Sequence, residues 1–434
     1  MARRRPTAAQ RQKQSAQSLM AFVSASPSSY HATAHATSRL VDAGFARLDE
    51  RAEWGAEPGG YVVERDGAFI AFRIPEGTTP TTRLAIVGAH TDSPSFRVKP
   101  IADRVSNGWR LLNVEVYGGP LLNSWLDRDL EIAGRVSLRS GETRLVRTGP
   151  VARIPQLAVH LDRAVNTDGV KLDRQRHTSP VLGLEQSPAA IDTIAKAAEV
   201  DAAELAGWDL FLAPAEPPAF LGADESLLAS GRLDNLISVH AGLHALIETV
   251  PVDVIPVLAA FDHEETGSAT RSGAAGPFLE DVLDRIQSAL GASGEERHRA
   301  RAASWHVSSD VGHSVHPNYP ERHDDAVRPM LGGGTIVKTN ADQRYSTDAR
   351  GTALWLGVCQ AAGVGAQHFV SNNQIPSGST IGPISATRLG ISTVDVGVPI
   401  LSMHSARELC SPADVDALGR ALGVFLAGAW PEHA

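Results

Sequence analysis

The distribution of apolar residues changes character twice along the chain. Over the first hundred residues, apolar positions at helical spacing in 18–23 and 35–44 predict two helices separated by the Ser- and Pro-containing 24–29. The short runs 61–65, 69–72 and 84–89 predict strands joined by turns that contain Gly and Pro. From about 104 to 217 the pattern is alternation instead, and 111–116, 130–138 and 157–161 read as strands with one face toward solvent. A Pro-rich segment at 214–218 ends that part. Beyond Asp234 helices are expected over 235–249, 277–290, 347–362 and 412–429, and strands over 254–261, 305–309, 367–371 and 391–396. Ser411 and Pro412 supply a side-chain cap and a first-turn proline for the last helix. At 434 residues the chain exceeds what one core usually supports. The expectation is an α/β domain formed by residues 1–103 and 218–434, its sheet covered by helices on both faces, with a β-rich domain inserted over 104–217.

Composition narrows the setting. Lys+Arg of 40 against Asp+Glu of 49 leaves a net charge of −9, which argues against a general nucleic-acid binder. Arginines stand at 3–5, but the polar residues 8–14 lack the apolar core of a secretory signal. The apolar 421–430 is interrupted by Gly423 and Gly428 and falls short of the ~20 residues a membrane span takes. Cys359 and Cys410 are too few for a disulfide framework, so a cytoplasmic location is the simplest expectation, with no membrane and no nucleic-acid partner.

The chemistry gathers around 254–261, a continuously apolar run of the kind buried on both faces of a parallel sheet. Glu264 and Glu265 follow it, and ligands of open α/β sheets sit beyond the carboxyl ends of strands. Adjacent glutamates repel unless a cation holds them, which suggests a metal ion with one carboxylate as ligand and its neighbour free to move a proton. The same pair equally makes a charged turn capping a strand. His90 in His90-Thr91-Asp92, Asp234 ahead of a helix, Asp310 at the end of 305–309 and His404 in 401–405 share this placement. Singly they read as a core histidine, a helix cap, a turn residue and a donor to a backbone carbonyl. Jointly with Glu265 they give two histidines and three carboxylates, a donor set that suits a pair of zinc-class ions bridged by one carboxylate. Other patterns fail. The helical H-E-x-x-H meets Gly267 where a histidine is needed, Gly332-Gly333-Gly334 lacks the Gly-Lys-Ser/Thr of a phosphate loop, and no G-x-S-x-G is present. His240 and His244, one helical turn apart, lack flanking acids and read as helix-surface residues.

Several stretches together resemble one family. They are Gly88-Ala89-His90-Thr91-Asp92-Ser93-Pro94, Trp125-Leu126-Asp127-Arg128-Asp129-Leu130, Gly231-Arg232-Leu233-Asp234-Asn235, Asp262-His263-Glu264-Glu265-Thr266-Gly267-Ser268, Gly378-Ser379-Thr380-Ile381-Gly382-Pro383 and Met403-His404-Ser405-Ala406-Arg407-Glu408. The chain resembles the aspartyl aminopeptidases, the M18 family of dinuclear zinc exopeptidases, nearly end to end from Ser26 onward. Gln374 and Ser377 depart from the family, which usually carries an aspartate and often a cysteine there; neither is a ligand, so the departure bears on fine specificity. The resemblance implies a mixed-sheet zinc-exopeptidase domain with an inserted dimerisation domain, and homo-oligomers assembled from dimers into a tetrahedral dodecamer. It implies two Zn2+ per subunit, with Co2+ or Mn2+ as substitutes: His90 and Asp310 on one, Glu265 and His404 on the other, Asp234 bridging. Glu264 becomes the general base, and Asp92 accepts the other ring N–H of His90.

The expected reaction is removal of one amino-terminal residue from a peptide, Glu264 taking the water's proton and delivering it to the leaving amine. Lys338 is expected to pair with an acidic first residue, with His313 a second candidate for that pocket; a solvated strand-end lysine is the plain reading, and some family members prefer neutral residues. His160 reads from sequence alone as an exposed strand-end histidine. The resemblance instead donates it to a neighbouring subunit's site, where it stabilises the oxyanion, with Tyr345 a second candidate. An amidase or deacylase on the same scaffold is the enzymatic rival. A non-catalytic scaffold is the other, disfavoured by the intact ligand set.

Overall fold

Nine strands lie side by side in the central sheet of the computed structural model, which describes residues 6–430; the arginines at 3–5 lie outside the described residues. With strands numbered in chain order, the spatial sequence is β1 (Ala46–Arg47), β2 (Gly59–Arg65), β3 (Ala68–Ile74), β13 (Val254–Phe261), β4 (Arg83–His90), β14 (Trp305–Ser309), β18 (Ser392–Gly397), β16 (Thr335–Lys338) and β17 (Ala366–Phe369). β13, β4, β14 and β18 are parallel, while β3 runs against both its neighbours and β16 against β18, so the sheet is mixed.

Burial on both faces explains the unbroken apolar run of β13, whose eight residues are all buried. Alternate residues of β4 serve opposite cores. Ala85, Val87 and Ala89 pack with residues of the helices Ala8–Ala25, Leu233–Glu248 and Pro412–Leu426, and Leu84 and Ile86 with Phe278, Val282 and Ile286 of Phe278–Ala289. Each large side chain so buried contributes about 1.5–3 kcal/mol. Register then decides where the chemistry falls. His90 is opposite Phe261 and Ser308 opposite Gly88, so β4, β13 and β14 end at one edge of the sheet.

Six strands between β4 and β13 close into a barrel: β5 (Ser95–Ser106), β6 (Trp109–Tyr117), β7 (Asp129–Leu138), β8 (Thr143–Arg153), β9 (Val181–Leu184) and β10 (Leu205–Pro214). Phe96, Leu112, Leu130, Ile132, Val136 and Leu210 fill it, and Ile194 of the helix Ala190–Ala198 packs on them. β5 and β10, the strands of entry and exit, pair with each other through Arg97 and Phe211. β11 (Ala219–Leu221) and β12 (Leu227–Ser230), which follow the barrel in the chain, form a three-stranded sheet with β20 (Glu408–Cys410); β15 (Gly312–His313) pairs with β19 (Pro399–Ile400).

Several expectations need correcting. Residues 157–161 form no strand. Leu157 and Leu161 are 57% and 75% exposed in a loop with a turn from Ala158 to Leu161, so their alternation has no partner strand behind it. β5 and β8 escaped notice because Pro100 and the Gly149-Pro150 pair interrupt them, and the pairings of both carry register shifts. The second helix begins at Ser29, capped by Ser28, where the sequence suggested linker. His240 and His244 face inward. His240 is 4% exposed, and the two Nε2 atoms lie 3.0 and 2.9 Å from Ser18 Oγ. The glycine run does cradle a carboxylate, but its own: Gly332 and Gly334 N–H donate to Asp414 at 2.7 and 2.8 Å.

Inward histidines make the fold acid-sensitive. His31, His244 and His306 are held down to about 4, burial being the largest cause in each, with Arg147 reinforcing it at His31 and Arg39 at His244. A folded-state value depressed below the unfolded one means the unfolded chain binds protons first, so this stability is complete above about pH 6.5 and is lost as pH falls toward 4. His306, 2% exposed with Nε2 unpartnered, is expected to account for about 2 kcal/mol of the loss between pH 7 and 5. Urea titrations at the two pH values check this; His306→Gln is expected to flatten the difference by about one proton's worth.

Candidate metal centre

Strand ends place three of the five donors. His90 is the last residue of β4, Asp310 directly follows β14, and β13 runs into the 3₁₀ turn Glu264–Thr266, flanked by left-handed His263 (φ 63°) and Gly267 (φ 95°). Asp234 opens the helix Leu233–Glu248, and His404 lies in the loop between β19 and β20. His90, Asp234 and Asp310 offer donor atoms within 4.8 Å of one another, as do Asp234, Glu265 and His404, and His90, Glu264 and Glu265.

Asp234 is common to the first two groups. Its Oδ1 lies 3.2 Å from His90 Nε2 and its Oδ2 3.3 Å from His404 Nε2, so the two oxygens of one carboxylate face different histidines. On the far sides, His90 Nε2 is 3.7 Å from Asp310 Oδ1 and His404 Nε2 is 3.5 Å from Glu265 Oε2. The tautomers follow from the other ring nitrogens. His90 Nδ1 lies 3.1 Å from the Asp92 carbonyl oxygen and His404 Nδ1 3.0 Å from that of Gly119. A carbonyl only accepts, so Nδ1 carries a proton in both rings and each Nε2 faces the carboxylates.

Asp92 joins these parts. Its carboxylate lies 3.4 Å from His90 Nδ1, accepts the N–H of Glu264 (3.1 Å) and Glu265 (3.2 Å), and accepts the Tyr117 hydroxyl at 2.7 Å. One side chain therefore sets the glutamate turn against His90, steadied by the last residue of β6 in the barrel. The barrel also grips the His404 loop. Leu121 N–H donates to the His404 carbonyl, Ala406 N–H donates to Ser124 Oγ, and Ala406 belongs to the barrel's apolar core.

These residues fit a cation. Asp234 Oδ1 and Glu265 Oε1 are buried without a hydrogen-bond partner, an arrangement that costs free energy unless a positive charge faces them. Burial and then the charge of Asp234 push Glu265 well above the ordinary carboxylate range. Burial, opposed by His90 and reinforced by Asp310 and Asp234, pushes Glu264 up to about 7. Imidazole nitrogen with carboxylate oxygen is the donor chemistry of zinc.

Residues 22–426 match the family model described as Aminopeptidase I zinc metalloprotease (M18). The chain belongs to the M18 family of zinc metallopeptidases. A probable M18 family aminopeptidase 2 of Streptomyces avermitilis is 54% identical over 418 residues, covering 94% of this chain and 97% of the relative. The structure of an Ape4 and Nbr1 complex superposes with a TM-score of 0.92 at 34% identity, covering 96% of this chain and 87% of that one. The S. cerevisiae mApe1 dodecamer does so with a TM-score of 0.83 at 28% identity, covering 94% and 96%. The fold is thus that of M18 aminopeptidases, and the chain is a zinc metallo-aminopeptidase by family.

Other candidates of this M18 chain divide by location. Lys338, at the end of β16, is 1% exposed; its Nζ donates to the Val311 carbonyl (2.8 Å), lies 3.4 Å from Asp310 Oδ2 and stands 5.4 Å from the Tyr345 ring centroid. His313 is exposed and lines a cavity of about 370 Å³ with Phe369 and Ile400. His160 is not brought to the centre of its own subunit: it sits in the exposed loop after β8. Sequence reasoning assigned no role to Tyr117, Gly119 or Glu408. Their contacts join residues far apart in the chain, which spacing does not display. Among the described residues no helix is long and apolar enough to cross a membrane.

Proposed function

We propose that this M18 protein removes a single amino-terminal residue, preferring Asp or Glu, from peptides, with two zinc ions per subunit. His90 and Asp310 hold one ion, Glu265 and His404 the other, and Asp234 bridges. The observation that carries this reading is the pair of Asp234 oxygens, each 3.2–3.3 Å from a different histidine. Bound there, the ions would supply Lewis acidity toward the scissile carbonyl and lower the pKa of the attacking water. Glu264, beside but outside the Asp234–Glu265–His404 group, accepts that water's proton and returns it to the leaving amine. Asp92 holds the turn that carries Glu264 and Glu265 by accepting both their N–H groups.

Lys338 sets the preference for an acidic first residue in this reading. An ammonium has three donors; Val311 and Asp310 account for two, which leaves one for a substrate carboxylate, with His313 at the rim. Aminoacyl chromogenic substrates with acidic, neutral and basic first residues, assayed with chelator and with zinc or cobalt add-back, test the whole proposal. Acidic substrates are expected to turn over fastest, chelation to abolish activity and metal to restore it. Lys338→Ala is expected to lower the acidic-to-neutral ratio by about 10–100-fold, the scale of one charged hydrogen bond. Because Lys338 also touches Asp310, total rates fall on every substrate, and the ratio is the quantity that decides. An unchanged ratio removes Lys338 from the pocket. Faster turnover of acylated amines than of free amino termini would favour an amidase or deacylase.

The barrel serves as the dimerisation domain in this reading, and dimers build a tetrahedral dodecamer. Support comes from its exposed apolar residues Ile101, Trp109, Leu157, Leu161 and Leu184, which call for cover, and from the dodecameric mApe1 relative. His160 then reaches a neighbouring subunit's centre as an oxyanion donor, with Tyr345 acting from within the subunit.

A further inference from the structure

Asp234 and His404 are 170 residues apart in the chain, yet one side chain that the reaction leaves unused holds both. Glu408 is 1% exposed, and each of its carboxylate oxygens accepts one backbone N–H: Oε2 that of Asp234 at 3.0 Å, Oε1 that of His404 at 2.8 Å. The backbone around it is pinned independently. Glu408 pairs with Ser230 across β20 and β12, Leu401 and Leu409 exchange hydrogen bonds at the foot of the His404 loop, and Gly231 lies so close to the Ala406 carbonyl that a Cβ there would come within 2.9 Å. The loop is therefore placed by the strands, and the side chain has a separate task.

We propose that Glu408 is a positioning residue of the metal centre, a clamp whose two oxygens fix the backbone of Asp234 against that of His404. This inference rests on the ligand assignment made above. With both N–H groups anchored on one rigid carboxylate, Asp234 Oδ2 and His404 Nε2 are set 3.3 Å apart, as the two would need to be to hold the second ion. The chemistry requires a carboxylate. Two backbone donors need two acceptors in a fork, charge strengthens both bonds, and an amide would turn an NH2 toward one of the N–H groups. Nothing in the Glu408 contacts reaches the proposed first-residue pocket, so the clamp acts on the ions and on turnover rather than on substrate affinity.

The test uses the full-length protein, stripped of metal and titrated with Co2+ while its visible absorption is followed. In Glu408→Gln, which keeps the side chain's shape, the second Co2+ is expected to bind about 10–100-fold more weakly, with altered visible bands, as happens when support behind a ligand is lost. The value of kcat is expected to fall by a similar factor while KM stays within about twofold. Glu408→Asp, too short to reach both N–H groups, is expected to weaken the second Co2+ as well, and it decides the matter if Glu408→Gln does not fold. Wild-type Co2+ affinity and spectrum in the deciding variant overturns the clamp. Asp234→Ala, measured in parallel, separates the two levels. If it still binds two ions as wild type does, the ligand assignment is wrong; if it loses them while Glu408→Gln keeps both, only the clamp is wrong.

Discussion

Glu264→Gln is expected to keep both metal ions and lose activity by about 10²-fold or more, the usual scale for a general base. The substitution preserves size and leaves the main-chain bond from residue 264 to Asp92 in place, so the glutamate turn keeps its shape. The Asp234, Glu265 and His404 group is untouched, as is that of His90, Asp234 and Asp310. What disappears is a carboxylate able to accept a proton, for which the amide offers no substitute. Zinc content by atomic absorption and kcat on an acidic aminoacyl substrate are the two measurements. Near wild-type turnover with both ions bound would sink the assignment, and loss of zinc would make Glu264 a ligand instead.

A second large effect is expected from mixing two dead enzymes. On the proposed roles His160→Ala would lack the donated imidazole and Glu264→Gln the base, so each pure oligomer is expected to be nearly inert. After subunit exchange, a heterodimer has one site with its own intact Glu264 and a partner's intact His160, and one site with neither. Random exchange is then expected to return roughly a quarter of wild-type activity, since half the dimers are mixed and half their sites complete. The motive is structural: His160 stands on an exposed loop between Leu157 and Leu161, apolar residues left uncovered within the subunit. No recovery despite verified exchange rules out donation in trans.

Much of the catalytic domain was legible because its sheet is buried. β13 is a continuous apolar run and β14 is buried along its whole length, and the observed bounds coincide with the expected 254–261 and 305–309. The donors were legible for a related reason: polar residues directly after such runs are few, and parallel register brings strand ends together. Amphipathic surface elements were less visible. The helix Gly294–Ala302 carries mostly charged residues with Ala300 alone buried, so it shows no apolar stripe to read. Loop 157–161 misled in the opposite direction, since its alternating apolar residues lie exposed within the subunit. Least legible were Tyr117 and Glu408, because their meaning is a contact, to Asp92 in one case and to two backbone N–H groups in the other.

The pairing of β5 with β10 bears on how the chain is made as well as on how it stands. To form the catalytic sheet, β4 must find β13 across a gap of roughly 160 residues, and the entropy of closing such a loop grows with its length. A barrel that is already folded has its two ends side by side, which shortens the effective loop about fourfold and lowers the closure cost by roughly 1 kcal/mol. During synthesis the ribosome completes the barrel before β13 exists, so the insertion has time to fold alone while β4 waits without a neighbour. The barrel is thereby a folding bracket for the sheet, and a substitution that keeps it from folding leaves the nascent chain exposing the apolar β4 next to a long, unbraced connection.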